Sequence, residues 1–177
     1  MADIGYKEYV VRREPTSLGA VLVALYTFVG AVLVLAIVWY MMLPLLLPAA
    51  ALVALLVYFT WPLTKVEYEY VTDGTSVTFA VIRGRGRRRE VLTVPVKSFS
   101  AIAPADEAHA EKWGAEYGRR YEFRSSKTAA HGYYGVFTDE NGLRSIVFFD
   151  GYRQLVDLCF FRNAPATERR DGLPLYE

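Results

Sequence analysis

PTSLGAVLVALYTFVGAVLVLAIVWYMMLPLLLPAAALVALLVYFTWPLT, residues Pro15 to Thr64, contains no Asp, Glu, Lys, Arg or His. A helix that crosses a bilayer needs about 20 apolar residues, so this run is too long for one crossing and long enough for two. Its middle reads Met41-Met42-Leu43-Pro44-Leu45-Leu46-Leu47-Pro48. Proline lacks an N–H and clashes with the preceding turn, so it ends a helix or occupies its first turn. The expectation is a transmembrane helical hairpin over residues 17–62, with helices at 17–42 and 45–62. A secretory leader has an apolar region of only about 7–15 residues, so the length argues against cleavage. A buried soluble helix pair would need far more chain around it than remains.

Trp39, Tyr40, Tyr58 and Trp61 fall near the predicted helix ends, where amphipathic rings favour the interface. Ala20, Ala24, Thr27 and Ala31 recur at helical spacing, as do Ala50 and Ala54. Small residues allow close helix approach in lipid, although alanine is also common in spans generally. Lys7, Arg12 and Arg13 precede the apolar run, Lys65 follows it, and the turn between carries no charge. Positive residues stay on the cytoplasmic side. The predicted localisation is therefore the cell membrane, with two spans and both termini cytoplasmic.

Residues 1–16 form a short cytoplasmic tail in this reading. Tyr6-Lys7-Glu8-Tyr9-Val10-Val11-Arg12-Arg13 alternates enough for a few residues of strand or a helix lying on the membrane, and a frayed tail is the third reading. After Lys65 the pattern turns to period two. Val66, Tyr68 and Tyr70 share one face, and Glu67 and Glu69 point to solvent on the other. Asp73-Gly74 marks a hairpin. Strands are expected at Thr75–Ile82, Glu90–Val94, Val96–Ala103, Arg119–Ser125, His131–Thr138 and Leu143–Phe149, with Pro95 at an edge or bulge and Asn141-Gly142 as a second hairpin turn. Pro104–Gly118 reads as a loop with a helical turn or two, and Gly151–Arg162 as an amphipathic helix carrying Leu155, Leu158 and Cys159. Residues 164–177 read as a loose tail. The fold class is thus an α+β membrane protein. A small antiparallel sheet or barrel of about seven strands and a closing helix, residues 65–163, follows the hairpin, in the manner of a pleckstrin-homology (PH) domain.

Val66-Glu67-Tyr68-Glu69-Tyr70, Gly74, the basic block Arg83–Arg89, Leu92, Val94, Val96-Lys97-Ser98-Phe99, Ile102-Ala103-Pro104 and Ile146-Val147-Phe148-Phe149 carry a family likeness. In these motifs the chain resembles an uncharacterised family of small bacterial membrane proteins, mostly Gram-positive. Those proteins have a two-helix transmembrane hairpin followed by a PH-like domain. The resemblance implies a membrane-bound PH-like domain and supplies no catalytic residues.

The sharpest candidate site is Arg83, Arg85, Arg87, Arg88 and Arg89, interleaved with glycine. In a meander the second strand returns toward the membrane, which would bring these arginines to anionic lipid headgroups. Each such charge is worth about 1 kcal/mol near an anionic leaflet. A solvated turn that keeps an edge soluble is the plain reading. The net charge of +1 and the absence of another basic block argue against nucleic acid. His109 lies with Asp106, Glu107 and Glu111 in what reads as a mobile, solvated charge cluster, and His131 as a surface residue. The one cysteine, Cys159, falls in the apolar pattern of the last helix, so no internal disulfide forms. No phosphate loop, nucleophile elbow or Cys-X-X-Cys is present. The expectation is no catalytic residue, no cofactor and no metal. The aromatic residues of the last third could line a groove between the final helix and the sheet, where a peptide adds as a strand. The function expected is a non-catalytic binding or scaffolding module on the cytoplasmic membrane surface. Its partners would be the bilayer, anionic headgroups, and a protein or its own copies. The alternatives are a subunit of a larger membrane complex, or an enzyme in which His109 or His131 meets carboxylates across strands.

Overall fold

The computed structural model describes residues 6–13, 17–40, 43–60, 65–84, 86–139 and 141–176. The chain divides into two compact units. One holds Glu67–Ile82, the chain from Arg88 onward and the segment up to Arg13; the other holds the apolar helices and Arg83–Arg87.

The first unit is built from two four-stranded sheets. Sheet one has the order β1 (Lys7–Arg12), β2 (Val66–Thr72), β3 (Ser76–Arg83), β4 (Arg87–Pro95). The segment read as a tail is therefore a strand. It pairs antiparallel with β2 in unbroken register from Lys7↔Thr72 to Arg12↔Glu67. Tyr9 and Val11 explain it: both are buried, so the alternation in this stretch has a core to face.

Pro95 ends β4, and a 3-10 turn at Val96–Ser98 occupies the start of the expected fourth strand. The chain then enters sheet two, whose order is β5 (Phe99–Pro104), β7 (Gly132–Thr138), β8 (Arg144–Asp150), β6 (Arg119–Glu122). With β1 counted the described residues hold eight strands, where about seven were expected. The sheets are not wholly antiparallel either, because β6 runs parallel to β8. The two strands are not joined by a turn: β7 lies between them in sequence, and such a path permits parallel pairing.

Aromatic rings fill the space between the sheets. Phe79 stacks on Phe123 at 5.1 Å, and Tyr70 meets Phe79 at 5.5 Å and Phe149 at 6.2 Å. The buried Tyr70 hydroxyl donates to the Phe123 carbonyl at 2.6 Å and accepts from the Asp150 N–H at 3.2 Å, so its polar end is satisfied. Gly135 is required here: a Cβ would lie 2.6 Å from Phe99 Cε1. The opposite face of sheet two carries a second cluster of Ala103, Tyr134, Val136, Ile146 and Phe148. Residues 104–118, which read as a loop with a helical turn or two, cover it. The short helix α3 (Ala110–Gly114) sets Trp113 edge-on to Phe148 at 6.3 Å, and Arg120 and Arg124 lie 4.5 and 4.6 Å from the same ring. The last helix, α4 (Arg153–Arg162), buries Leu155, Val156 and Cys159. Burial pushes the Cys159 thiol up to about 12.

Of residues 164–177, read as a loose tail, those up to Tyr176 are described, and they are held to the body of the domain. The Asn163 side chain donates to the carbonyls of Val96 and Phe99 at 3.0 and 2.9 Å, and Thr167 bridges Ile102.

In the second unit α1 (Ser17–Trp39) and α2 (Leu46–Thr60) are joined through a 3-10 turn at Leu43–Leu45. Against the expected 17–42 and 45–62, α1 ends at Trp39 before a turn at Tyr40, and α2 begins at Leu46; Met41, Met42, Trp61 and Pro62 lie outside the described residues. Pro44 sits in the 3-10 turn and Pro48 in the first turn of α2, as their chemistry requires. Val21–Trp39 is long and apolar enough to cross a membrane; the apolar part of α2, Leu47–Phe59, is shorter. The contact between the helices does not use the expected alanines: Ala24, Thr27, Ala31, Ala50 and Ala54 are exposed, and the Ala20 side chain lies outside the described set. Gly30 is the buried position, and a Cβ there would lie 2.9 Å from Val53 Cγ1. Glycine serves the close approach that alanine was expected to serve.

Candidate functional site

The basic block begins where β3 ends. Gly84 and Gly86 adopt φ of 62° and 87°, which L residues with side chains rarely take, so the glycines let the chain reverse. Lys65 is the first described residue after α2, and its carbonyl accepts from the Gly84 N–H at 3.3 Å. The Arg83–Arg87 turn and the apolar helices belong to the same compact unit.

The five arginines do not act alike. Arg85 lies outside the described residues. Arg88 is committed to its own domain: its guanidinium bonds the Glu69 carboxylate and reaches Glu90 Oε1 at 2.6 Å. Glu69 was expected at the solvent face and is instead only 3% exposed, because β1 and the Arg88 side chain cover that side of β2. The Glu69 carboxylate, as acceptor of a hydrogen bond from the Glu8 carboxyl and as a neighbouring negative charge, holds that carboxyl above its ordinary value. The same carboxylate, with Glu90, holds the Arg88 proton more tightly still. Arg83, Arg87 and Arg89 are exposed, and among the described residues none of them enters an ion pair. They are the cations free to meet an external anion.

His109 is not in a solvated loop. Its side chain is only 14% exposed; Nδ1 lies 2.6 Å from Asp106 Oδ1 and Nε2 lies 3.0 Å from Glu168 Oε2. Asp106 caps the turn, and its carbonyl accepts from Trp113 Nε1 at 2.8 Å. The Asp106 hydrogen bond raises the imidazole above its ordinary value despite partial burial, and the imidazole in turn lowers Asp106. Glu107 and Glu111, the other expected neighbours, make no contact with the ring among the described residues. Both ring nitrogens are engaged by carboxylates, so neither is left for a substrate. His131 is half-buried, 6.2 Å from the Tyr152 ring. The nearest buried acid along that end of sheet two is Asp150. Its Oδ2 accepts from the Ser125 N–H at 3.0 Å, and burial raises its carboxyl. Among the described residues no group of three or more His, Cys, Asp or Glu side chains is arranged to hold a metal.

Between the last helix and the β1 edge lies a cluster of packed aromatic rings. Tyr9 and Tyr152 stack at 5.7 Å, and Tyr176 packs edge-on against both at 5.1 Å. Tyr176 and Gln154, which complete it, were not singled out from the sequence. The only local cue was the Tyr6–Val11 alternation.

The family model for a bacterial PH-like domain (DUF6106) matches residues 3–158, a span that takes in β1, both apolar helices, both sheets and half of α4. No curated protein and no solved structure matches the chain. With two packed sheets, a closing carboxy-terminal helix and a match over most of its length, the chain belongs to the bacterial PH-like domain family.

Proposed function

We propose that this protein is a membrane-anchored, non-catalytic PH-like module, tethered by a two-helix hairpin inserted between its first two strands and held against anionic headgroups by its basic turn. The observation that carries this reading is the surface of α1. Leu25, Phe28, Val29, Val32, Leu35 and Val38 are between 48% and 68% exposed, spread over the half of the helix turned away from the buried Gly30. A core helix of a soluble protein hides such side chains, whereas lipid is the solvent they suit. Cleavage after α1, as in a secretory leader, would also remove β1 from its sheet.

Strand pairing supports an even number of crossings. Arg12 and Glu67 are cross-strand partners, so the chain leaves the sheet at Arg12 and comes back beside it. If α1 crosses, the return must cross as well. The 15 residues of α2 extend about 22 Å at 1.5 Å per residue. The 3-10 turn adds about 6 Å, close to the roughly 30 Å hydrocarbon thickness. Lys7, Arg12, Arg13 and Lys65 flank this excursion, which favours a cytoplasmic domain. The hydrogen bond between Gly84 and Lys65 keeps the basic turn beside the residue that follows α2, where headgroups would lie.

The test excises the excursion. Replacing residues 13–66 by Asn-Gly, a turn suited to an antiparallel pair, should give a folded chain that needs no detergent. The intact chain should stay in membranes through an alkaline wash, and a reporter after Tyr176 should be shielded from reagents outside intact cells. Recovery of the intact chain in the soluble fraction, or labelling of that reporter from outside, would sink the proposal.

A further inference from the structure

The groove beside β1 is occupied by the chain's own segment Leu173–Tyr176, bound as a peptide ligand is bound. Gln154 on α4 grips the main chain of Tyr176 with both ends of its amide: Nε2 donates to the carbonyl at 3.2 Å and Oε1 accepts from the N–H at 3.1 Å. The Arg153 N–H donates to the Pro174 carbonyl at 3.0 Å. The Tyr176 ring fills the corner between Tyr9 and Tyr152, and its hydroxyl accepts from the Val10 N–H at 2.8 Å while donating to the Val10 carbonyl at 3.4 Å. These contacts read an extended backbone and one tyrosine; Leu175 contributes little, being 61% exposed.

Two further observations suit a removable occupant. It is joined to the body through Asp171-Gly172, an exposed turn with Gly172 at φ 77°. The strand it touches is also a sheet edge. Val10 turns its N–H and C=O away from β2, so by the two-residue period Glu8 and Arg12 do the same. Among the described residues the backbones of Glu8 and Arg12 bond nothing on that side. An extended peptide seated here could pair with β1 on both sides of Val10.

We propose that the β1–α4 groove is a docking site for an extended partner peptide carrying an unmodified tyrosine, and that Leu173–Tyr176 closes it in cis until such a peptide displaces it. The tyrosine must be unmodified because its hydroxyl donates to the Val10 carbonyl, which a phosphate ester could not do. A short tether holds the cis segment at roughly millimolar effective concentration, so a free peptide binds well only when the cis copy is disabled.

The experiment uses the full chain in nanodiscs and a fluorescent peptide of sequence Arg-Asp-Gly-Leu-Pro-Leu-Tyr-Glu. The Tyr176→Ala chain should bind the probe at least about tenfold more tightly than the wild type, and Tyr176→Phe, which keeps the ring, should fall between. Adding Gln154→Ala to Tyr176→Ala should abolish the gain, as should phosphorylation of the probe's tyrosine. A Tyr176→Ala chain that melts cooperatively yet binds no better than wild type overturns the proposal. So does binding that ignores Gln154. A Tyr176→Ala chain that fails to fold would show the segment to be part of the core, and overturns it too.

Discussion

The two connections at the ends of β3 solve the same problem with opposite chemistry. At Asp73-Gly74 the turn is closed by its own carboxylate. Asp73 accepts from the N–H groups of Thr75 and Ser76 at 2.8 and 2.7 Å and from both hydroxyls, and these bonds hold its pKa far below the usual range. At Gly84-Gly86 the described residues offer no acceptor to Arg83, Arg87 or Arg89, and only Arg88 is answered from within the domain. One turn is complete by itself; the other carries three cations that the described residues leave without an ion pair. A run of like residues in sequence is therefore not one site. Its members divide according to whether the fold has already supplied their partner.

That division can be broken in order of size. In the excised, soluble chain, Arg83→Gln, Arg87→Gln and Arg89→Gln together should weaken binding to phosphatidylglycerol-rich vesicles roughly 100-fold, from about 1 kcal/mol per charge. The thermal midpoint should not move, and the vesicle affinity should fall further with added salt. Arg88→Gln should do the reverse, lowering the thermal midpoint by stranding the buried Glu69 while leaving most vesicle affinity in place. If all four substitutions behave alike, the contrast is wrong. Asp73→Ala should cost about 1–2 kcal/mol of stability, read by urea unfolding, with no effect on vesicles.

The smallest effect concerns His109. Its pKa is raised in the folded chain, so its clasp on Asp106 and Glu168 contributes fully below the free imidazole value of about 6.5. That contribution fades as pH rises through the higher folded value. Stability measured against pH should show this decline in the wild type and lose it in His109→Gln; a matching decline in the variant would assign it to another group.

What could be read from the sequence was what is local. An absence of charge over residues 15–64 is visible in any window, and the Asp-Gly and Asn-Gly turns announce themselves within four residues. The alternation of β2 was equally plain, yet its meaning for Glu69 was misread, because the covering Arg88 lies 19 positions later and β1 lies before the helices. The His109 clasp depends on Glu168, 59 positions away. The helix seam failed for a different reason. Ala24, Thr27 and Ala31 lie on one helical face and Gly30 beside it, and which face meets the second helix is set by the register with Val53, not by either helix alone.

The pairing of β1 with β2 has a consequence for biosynthesis. During translation β1 emerges first, and its partner follows only after the apolar excursion has been made. At 5–20 residues per second the delay is about 3–10 seconds. Throughout it Tyr9 and Val11, both buried in the finished protein, have no sheet to join. If the apolar helices enter a membrane as proposed, assembly of the domain waits on their insertion. A chain whose helices were then threaded wrongly, with β1 and β2 stranded in different compartments, could never close its first sheet, so the order of the strands would itself check insertion.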